Sequence, residues 1–98
     1  MFIVILRYVK PWEAIEPHLE EHWAFLDRQY VAGHFIASGP QVPREGGVML
    51  VKSSLSLDEL ERLLAEDSFR REQVATYQII EFNPSRFGAG VESAFGGS

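Results

Sequence analysis

Phe2-Ile3-Val4-Ile5-Leu6-Arg7-Tyr8-Val9 is an apolar run interrupted only by Arg7. Its length and its Ile/Val content predict a strand buried on both faces. Phe2, Val4, Leu6 and Tyr8 point one way, while Ile3, Ile5 and Val9 point the other. A sheet with one face in water would alternate apolar with polar residues, and this strand does not. Both faces therefore need cover, and one layer of helices covers only one of them. Lys10-Pro11 stops the strand.

Outward from there the chain reads as a small set of elements. Residues 11–17 hold two prolines and read as a connection, with Pro17 suited to the first turn of a helix. A helix is expected from about residue 18 to 31, where Leu19, Trp23, Leu26 and Tyr30 form one stripe. Gly33 is placed to end it in a left-handed conformation. Residues 34–38 read as a second strand ended by Gly39-Pro40, and residues 47–52 as a third. The polar loop between them predicts an antiparallel hairpin. Ser56-Leu57-Asp58-Glu59 matches a capping box, a hydroxyl with Glu three residues later. Leu57, Leu60, Leu63 and Leu64 give the helix that follows an apolar face as far as about Ala65. Residues 70–73 read as a charged connection. Residues 74–82 read as the last strand, with Tyr77 and Ile79 on one side and Ile80 and Phe82 on the other.

The order β-α-β-β-α-β is the ferredoxin-like arrangement of the α+β class. Right-handed crossovers put both helices on one face of a four-stranded antiparallel sheet. The opposite face then calls for a second copy of the chain. The expected partner is a homodimer packed sheet face to sheet face, of the dimeric α/β-barrel kind. Residues 1–84 form the domain, and the Gly-, Ser- and Ala-rich stretch 85–98 is expected to be a flexible or partner-docking tail, with Phe87, Val91 and Phe95 as its anchors.

Composition narrows the function. Ninety-eight residues allow one domain. The absence of cysteine removes disulfides, thiolate metal sites and cysteine nucleophiles together. A formal charge of −5 argues against a general nucleic-acid binder. No apolar run approaches a membrane span of about 20 residues, and the apolar start lacks a leading basic region, so a cytoplasmic location is expected. No glycine loop of the phosphate-cradling kind is present. His18 and His22 stand four apart, but Leu19 follows His18 where a zinc protease motif has Glu. Neither a metal nor an organic cofactor is called for.

Five residues stand out. His22 falls roughly 70° from the centre of the apolar stripe on a helical wheel. There it is half sheltered and reachable, available as a base or acid near neutrality; packed as a boundary histidine, it would do nothing chemical. Asp67, past the second helix, either bonds its local backbone in a turn or orients an imidazole. Ser38 either caps a strand end or binds a ligand oxygen, with Gly39 allowing close approach. Arg7 either pairs with Glu81 on the last strand or meets an anionic ligand. His18 and His34 read as solvated or strand-start residues.

Several short pieces resemble one family in their order and spacing. They are Phe2-Ile3-Val4-Ile5-Leu6, His18-Leu19-Glu20-Glu21-His22-Trp23-Ala24-Phe25-Leu26, Gly33-His34-Phe35-Ile36-Ala37-Ser38-Gly39-Pro40, Gly47-Val48, Glu66-Asp67-Ser68-Phe69 and Tyr77-Gln78-Ile79-Ile80-Glu81-Phe82-Asn83-Pro84. Together they resemble the YciI-like (YCII-related domain) proteins, small dimeric α/β-barrels. The resemblance implies a His–Asp site at His22 and Asp67, and a Ser-Gly-Pro element at Ser38, Gly39 and Pro40. Ser68 departs from the family's usual Asp-Pro-Phe turn. Some relatives eliminate chloride from chlorinated muconolactones. What this implies is a cofactor-independent enzyme of the lyase or isomerase class, working by acid–base chemistry on a small carbonyl or lactone substrate. Its alternative is a non-catalytic, small-ligand-binding or regulatory dimeric module with the same pocket.

Overall fold

The computed structural model describes residues 1–95, with Phe95 described by its backbone alone. Gly96, Gly97 and Ser98, the end of the expected tail, lie outside the described residues. The regular elements are β1 (Phe2–Tyr8), α1 (Trp12–Ile15), α2 (Leu19–Val31), β2 (Phe35–Pro40), β3 (Gly46–Val51), α3 (Leu57–Leu64), α4 (Ser68–Arg71) and β4 (Ala75–Glu81). Short 3₁₀ turns occupy Glu16–His18 and Glu92–Phe95. The strands form one sheet in the order β2-β3-β1-β4, every pair antiparallel. This is the ferredoxin-like α+β fold.

The register explains the two-sided apolar strand. Phe2, Val4 and Leu6 are buried and meet Val51, Met49 and Gly47 on β3. The same face holds Ile79 and Tyr77 of β4, packed against the core. Phe25 of α2, Leu60 and Leu64 of α3 and Phe69 of α4 close that core from above. On the reverse face Ile3 and Ile5 stand opposite Leu50 and Val48 on β3, and Ile3 opposite Ile80 on β4. None of these five is fully buried in the single chain.

Several boundaries differ from expectation, each for a local reason. Helical structure starts at Trp12, with Pro11 as N-cap, so residues 12–18 are helical turns and not an open connection. Pro17 sits in the intervening 3₁₀ turn, where its missing N–H breaks the α-helical ladder. β2 runs on through Gly39 and Pro40. It pairs only with β3, and an edge strand tolerates proline. Residues 68–71 form the short helix α4 in place of the start of a charged connection. Gly33 does end α2, with φ of 79°. The capping box of α3 forms in full.

The apolar face of α2 also differs. His22, Phe25 and Gln29 are its buried residues. Trp23 and Tyr30 are half exposed, and Leu19 and Leu26 flank the core. The stripe through the largest apolar side chains is therefore offset from the true inner face. On α3, likewise, Leu60 and Leu64 are buried and Leu57 is exposed.

The predicted Arg7–Glu81 ion pair does not form. Register sets Arg7 opposite Thr76 and Glu81 opposite Phe2, at the far end of the strand.

Candidate active site

Asp67 is the N-cap of α4 and is wholly buried. A buried carboxylate must have its oxygens satisfied. Oδ1 accepts from the Phe69 backbone N–H at 3.2 Å, which is the local capping bond. Oδ2 accepts from the Tyr77 hydroxyl of β4 at 2.5 Å. His22 Nδ1 lies 2.9 Å from both oxygens. Groups from α2, α4 and β4 thus meet on one carboxylate, His22 reaching it from 45 residues away along the chain. The two readings of Asp67 coexist: it caps a turn, and it holds an imidazole.

The surroundings fix the imidazole further. Its ring stacks on Phe69 at 4.1 Å between centroids and 7° between planes. Because Asp67 is an acceptor, Nδ1 is assigned the proton and Nε2 is left as an acceptor. Burial pushes the Tyr77 phenol above its ordinary value, and the Asp67 charge and hydrogen bond push it the same way. Tyr77 therefore stays a proton donor to Asp67 across the neutral range. Ser68 is buried, and its Oγ donates to the His18 carbonyl at 2.8 Å. That bond ties α4 to the start of α2 and so sets His22 over Asp67.

His22 lines a partly open cavity of about 90 Å³. Leu19, Trp23 and Leu26 of α2, Tyr8 of β1 and Phe69 supply apolar and aromatic walls. Ser38, Gly39 and Pro40 of β2 line it as well. The Ser38 Oγ and the Tyr30 hydroxyl lie 2.6 Å apart. One hydroxyl of such a pair donates to the other, so a single O–H proton remains for a third group. Gly39 lines the wall, but a Cβ there would meet open space. The glycine that the backbone demands is Gly46, where a Cβ would fall 1.8 Å from the Leu6 carbonyl oxygen. Arg7 is not part of this cavity. It is exposed and lines an adjoining shallow surface with Lys10, Trp12 and Arg44. Among the described residues, no three His, Asp or Glu side chains are gathered to hold a metal ion.

The model of the YCII-related domain matches residues 1–83. The chain belongs to this family. No curated protein matches the chain. Among solved structures, this YCII-related protein is similar to 5-chloro-2-hydroxyhydroquinone dehydrochlorinase from Burkholderia phenoliruptrix, in complex with 2,5-dihydroxybenzoquinone. The TM-score is 0.67 at 15% identity, over 87% of this chain and 96% of that one. At that identity the likeness establishes the shared fold. Among the described residues, no helix of the YCII-related chain is long and apolar enough to cross a membrane.

Sequence reasoning missed Tyr77, Phe69, Tyr30 and Arg44 as residues of the site. Tyr77 and Phe69 read only as apolar strand and turn residues. The available signal for Tyr77 was its polar tip on a core-facing strand position, since a buried tyrosine hydroxyl finds a partner.

Proposed function

We propose that this chain is a cofactor-independent lyase or isomerase of the dehydrochlorinase type, acting on a small carbonyl or lactone substrate. The observation that carries the reading is the geometry of Asp67. It is fully buried, bonded to Phe69 and Tyr77, and aligned on His22 Nδ1, while His22 borders the cavity. A histidine braced in this way is equipped for proton transfer.

In this reading His22 Nε2 removes a proton from the carbon beside the substrate carbonyl. The C–H electron pair forms the enolate and then the new C=C bond. Chloride leaves with the electrons of the C–Cl bond. Asp67 holds the tautomer and stabilises the imidazolium that forms. The free O–H of the Ser38–Tyr30 pair donates to the carbonyl oxygen, where negative charge develops. Two copies meet through the reverse face of the sheet, where Ile3, Ile5, Val48, Leu50 and Ile80 await cover. Residues 85–98 are read as a flexible or partner-docking tail beside the 1–84 domain.

The test is chloride release from 5-chloro-2-hydroxyhydroquinone and from a chlorinated muconolactone, followed by ion chromatography. His22→Asn is expected to lower kcat by about 10²–10⁴-fold, the usual weight of a general base. Asp67→Asn is expected to lower it somewhat less. Unchanged turnover in His22→Asn would refute the mechanism. Tight binding of either compound with neither chloride release nor solvent deuterium exchange at the acidic carbon would make the protein a binding module.

A further inference from the structure

The cavity beside His22 is chemically lopsided. Among the described residues its lining carries no carboxylate, and the one permanently charged residue there is Arg44, from the loop between β2 and β3. Arg44 also borders the adjoining surface, where it joins Arg7 and Lys10. Three cations face one acid there, Glu45, on a chain whose formal charge is −5. The Arg44 guanidinium lies over the Trp12 ring at 4.6 Å from its centroid. Stacking of this kind uses the guanidinium face and leaves its edge N–H donors free. Among the described residues no carboxylate lies within ion-pair distance of it.

We infer that Arg44 is a substrate-binding residue and that the substrate is a small planar carboxylate, its anionic group on Arg44 and its ring in the cavity beside His22. A planar guanidinium edge presents two parallel donors, which match the two oxygens of a carboxylate. The cavity, at about 90 Å³, is smaller than the roughly 150 Å³ that encloses benzene in a sealed core. Because it is partly open, a single ring would seat in it only in part, with its substituent directed toward Arg44, which the cavity shares with the adjoining surface. The electrostatic role expected of Arg7 thus passes to another arginine. The inference rests on the reading of this cavity as the substrate site, and it adds the charge and shape of what enters.

The probes are benzoate and benzamide, which share a ring and differ in charge, titrated while the ring signals of His22 and Trp12 are followed by NMR. Wild type is expected to bind benzoate at least about tenfold more tightly than benzamide, the scale of one charge-assisted hydrogen-bonded contact. Added salt should narrow that gap. Arg44→Gln should abolish it and leave the affinity for benzamide unchanged; Arg44 is exposed, so the fold should survive. Arg44→Lys should restore part of the gap. Equal affinities in wild type would overturn the assignment to Arg44. So would a preference for benzoate that survives Arg44→Gln and disappears in His22→Gln, which would place the anion on the imidazole. In both cases shifts at His22 would leave the cavity reading standing. If neither probe moves the His22 signals, the cavity is not the site and the inference falls with it.

Discussion

Ser56 and Asp67 both cap short helices, and they could hardly be less alike. Ser56 is exposed. It accepts from the Glu59 N–H, and Glu59 reaches back to the Ser56 N–H, each bond at 3.1 Å. Everything in that cap lies within four consecutive residues. Asp67 makes the same kind of bond to Phe69, but it is wholly buried and also takes up His22 and Tyr77. One cap only starts a helix. The other starts a helix and serves as the hub of a buried polar network. Removing each should therefore have a different reach.

The largest effect is expected from Asp67→Ala. It strands the Tyr77 hydroxyl, the Phe69 N–H and a buried imidazole together. Breaking a buried, hydrogen-bonded pair by deleting one partner costs about 3–5 kcal/mol. Chemical denaturation should show a loss of that size, and the His22 ring signals should shift as the stacked geometry on Phe69 relaxes. A loss under about 1 kcal/mol, the scale of an ordinary N-cap, would make Asp67 no different from Ser56.

Tyr77→Phe isolates the long-range part of the network. The ring is kept and one bond to a charged acceptor goes, for about 1.5–3 kcal/mol. The pH dependence has a definite sign. The folded state raises this phenol above its ordinary 10.0, so the stabilising form is the protonated one. Its contribution is complete below about pH 10 and falls away as pH rises above that value. Wild type should lose stability in alkali with an extra slope that Tyr77→Phe lacks. If Asp67 works as an orienting group, the same variant should lower kcat more than it raises KM.

These differences also explain what the sequence made legible. The capping box, the Gly33 stop and the extended conformation of β1 depend on neighbours within a few residues, and each is in place. Three-dimensional partners decide the rest. Helical-wheel reasoning put His22 on a flank because it counted polarity and could not count Asp67 and Phe69. With those partners, a histidine takes the inner face, and Trp23 is displaced to the cavity lip, half exposed. The Arg7–Glu81 pairing failed on register, which depends on how strands align and not on the residues themselves. Arg44 looked like one charge in a polar loop until the hairpin folded it over Trp12.

Ser56→Ala is expected to cost about 1 kcal/mol, the usual value for an N-cap hydroxyl. The loss should stay local. Hydrogen exchange should speed up in the first turn of α3 and leave the amides of α4 and β4 as they were. Protection lost at Phe69 as well would mean that the two caps are coupled, and the contrast between them would be weaker than the bonding suggests.

Glu59→Gln is the finest probe, because it keeps the reciprocal bond and removes only the charge. Hydrogen bonds from the Ser56 backbone and then its side chain hold the Glu59 carboxyl below its ordinary 4.5, with a smaller pull from Arg62. A carboxyl depressed on folding stabilises the protein above its unfolded value, and that contribution disappears as pH falls through the folded value. Wild type should therefore lose a small increment of stability on acidification below about pH 4.5 that Glu59→Gln does not lose. The group is fully exposed, so salt should shrink the difference further. An acid-induced increment identical in both proteins would mean that the negative end of this cap contributes nothing, leaving the Ser56 hydroxyl to start α3 alone.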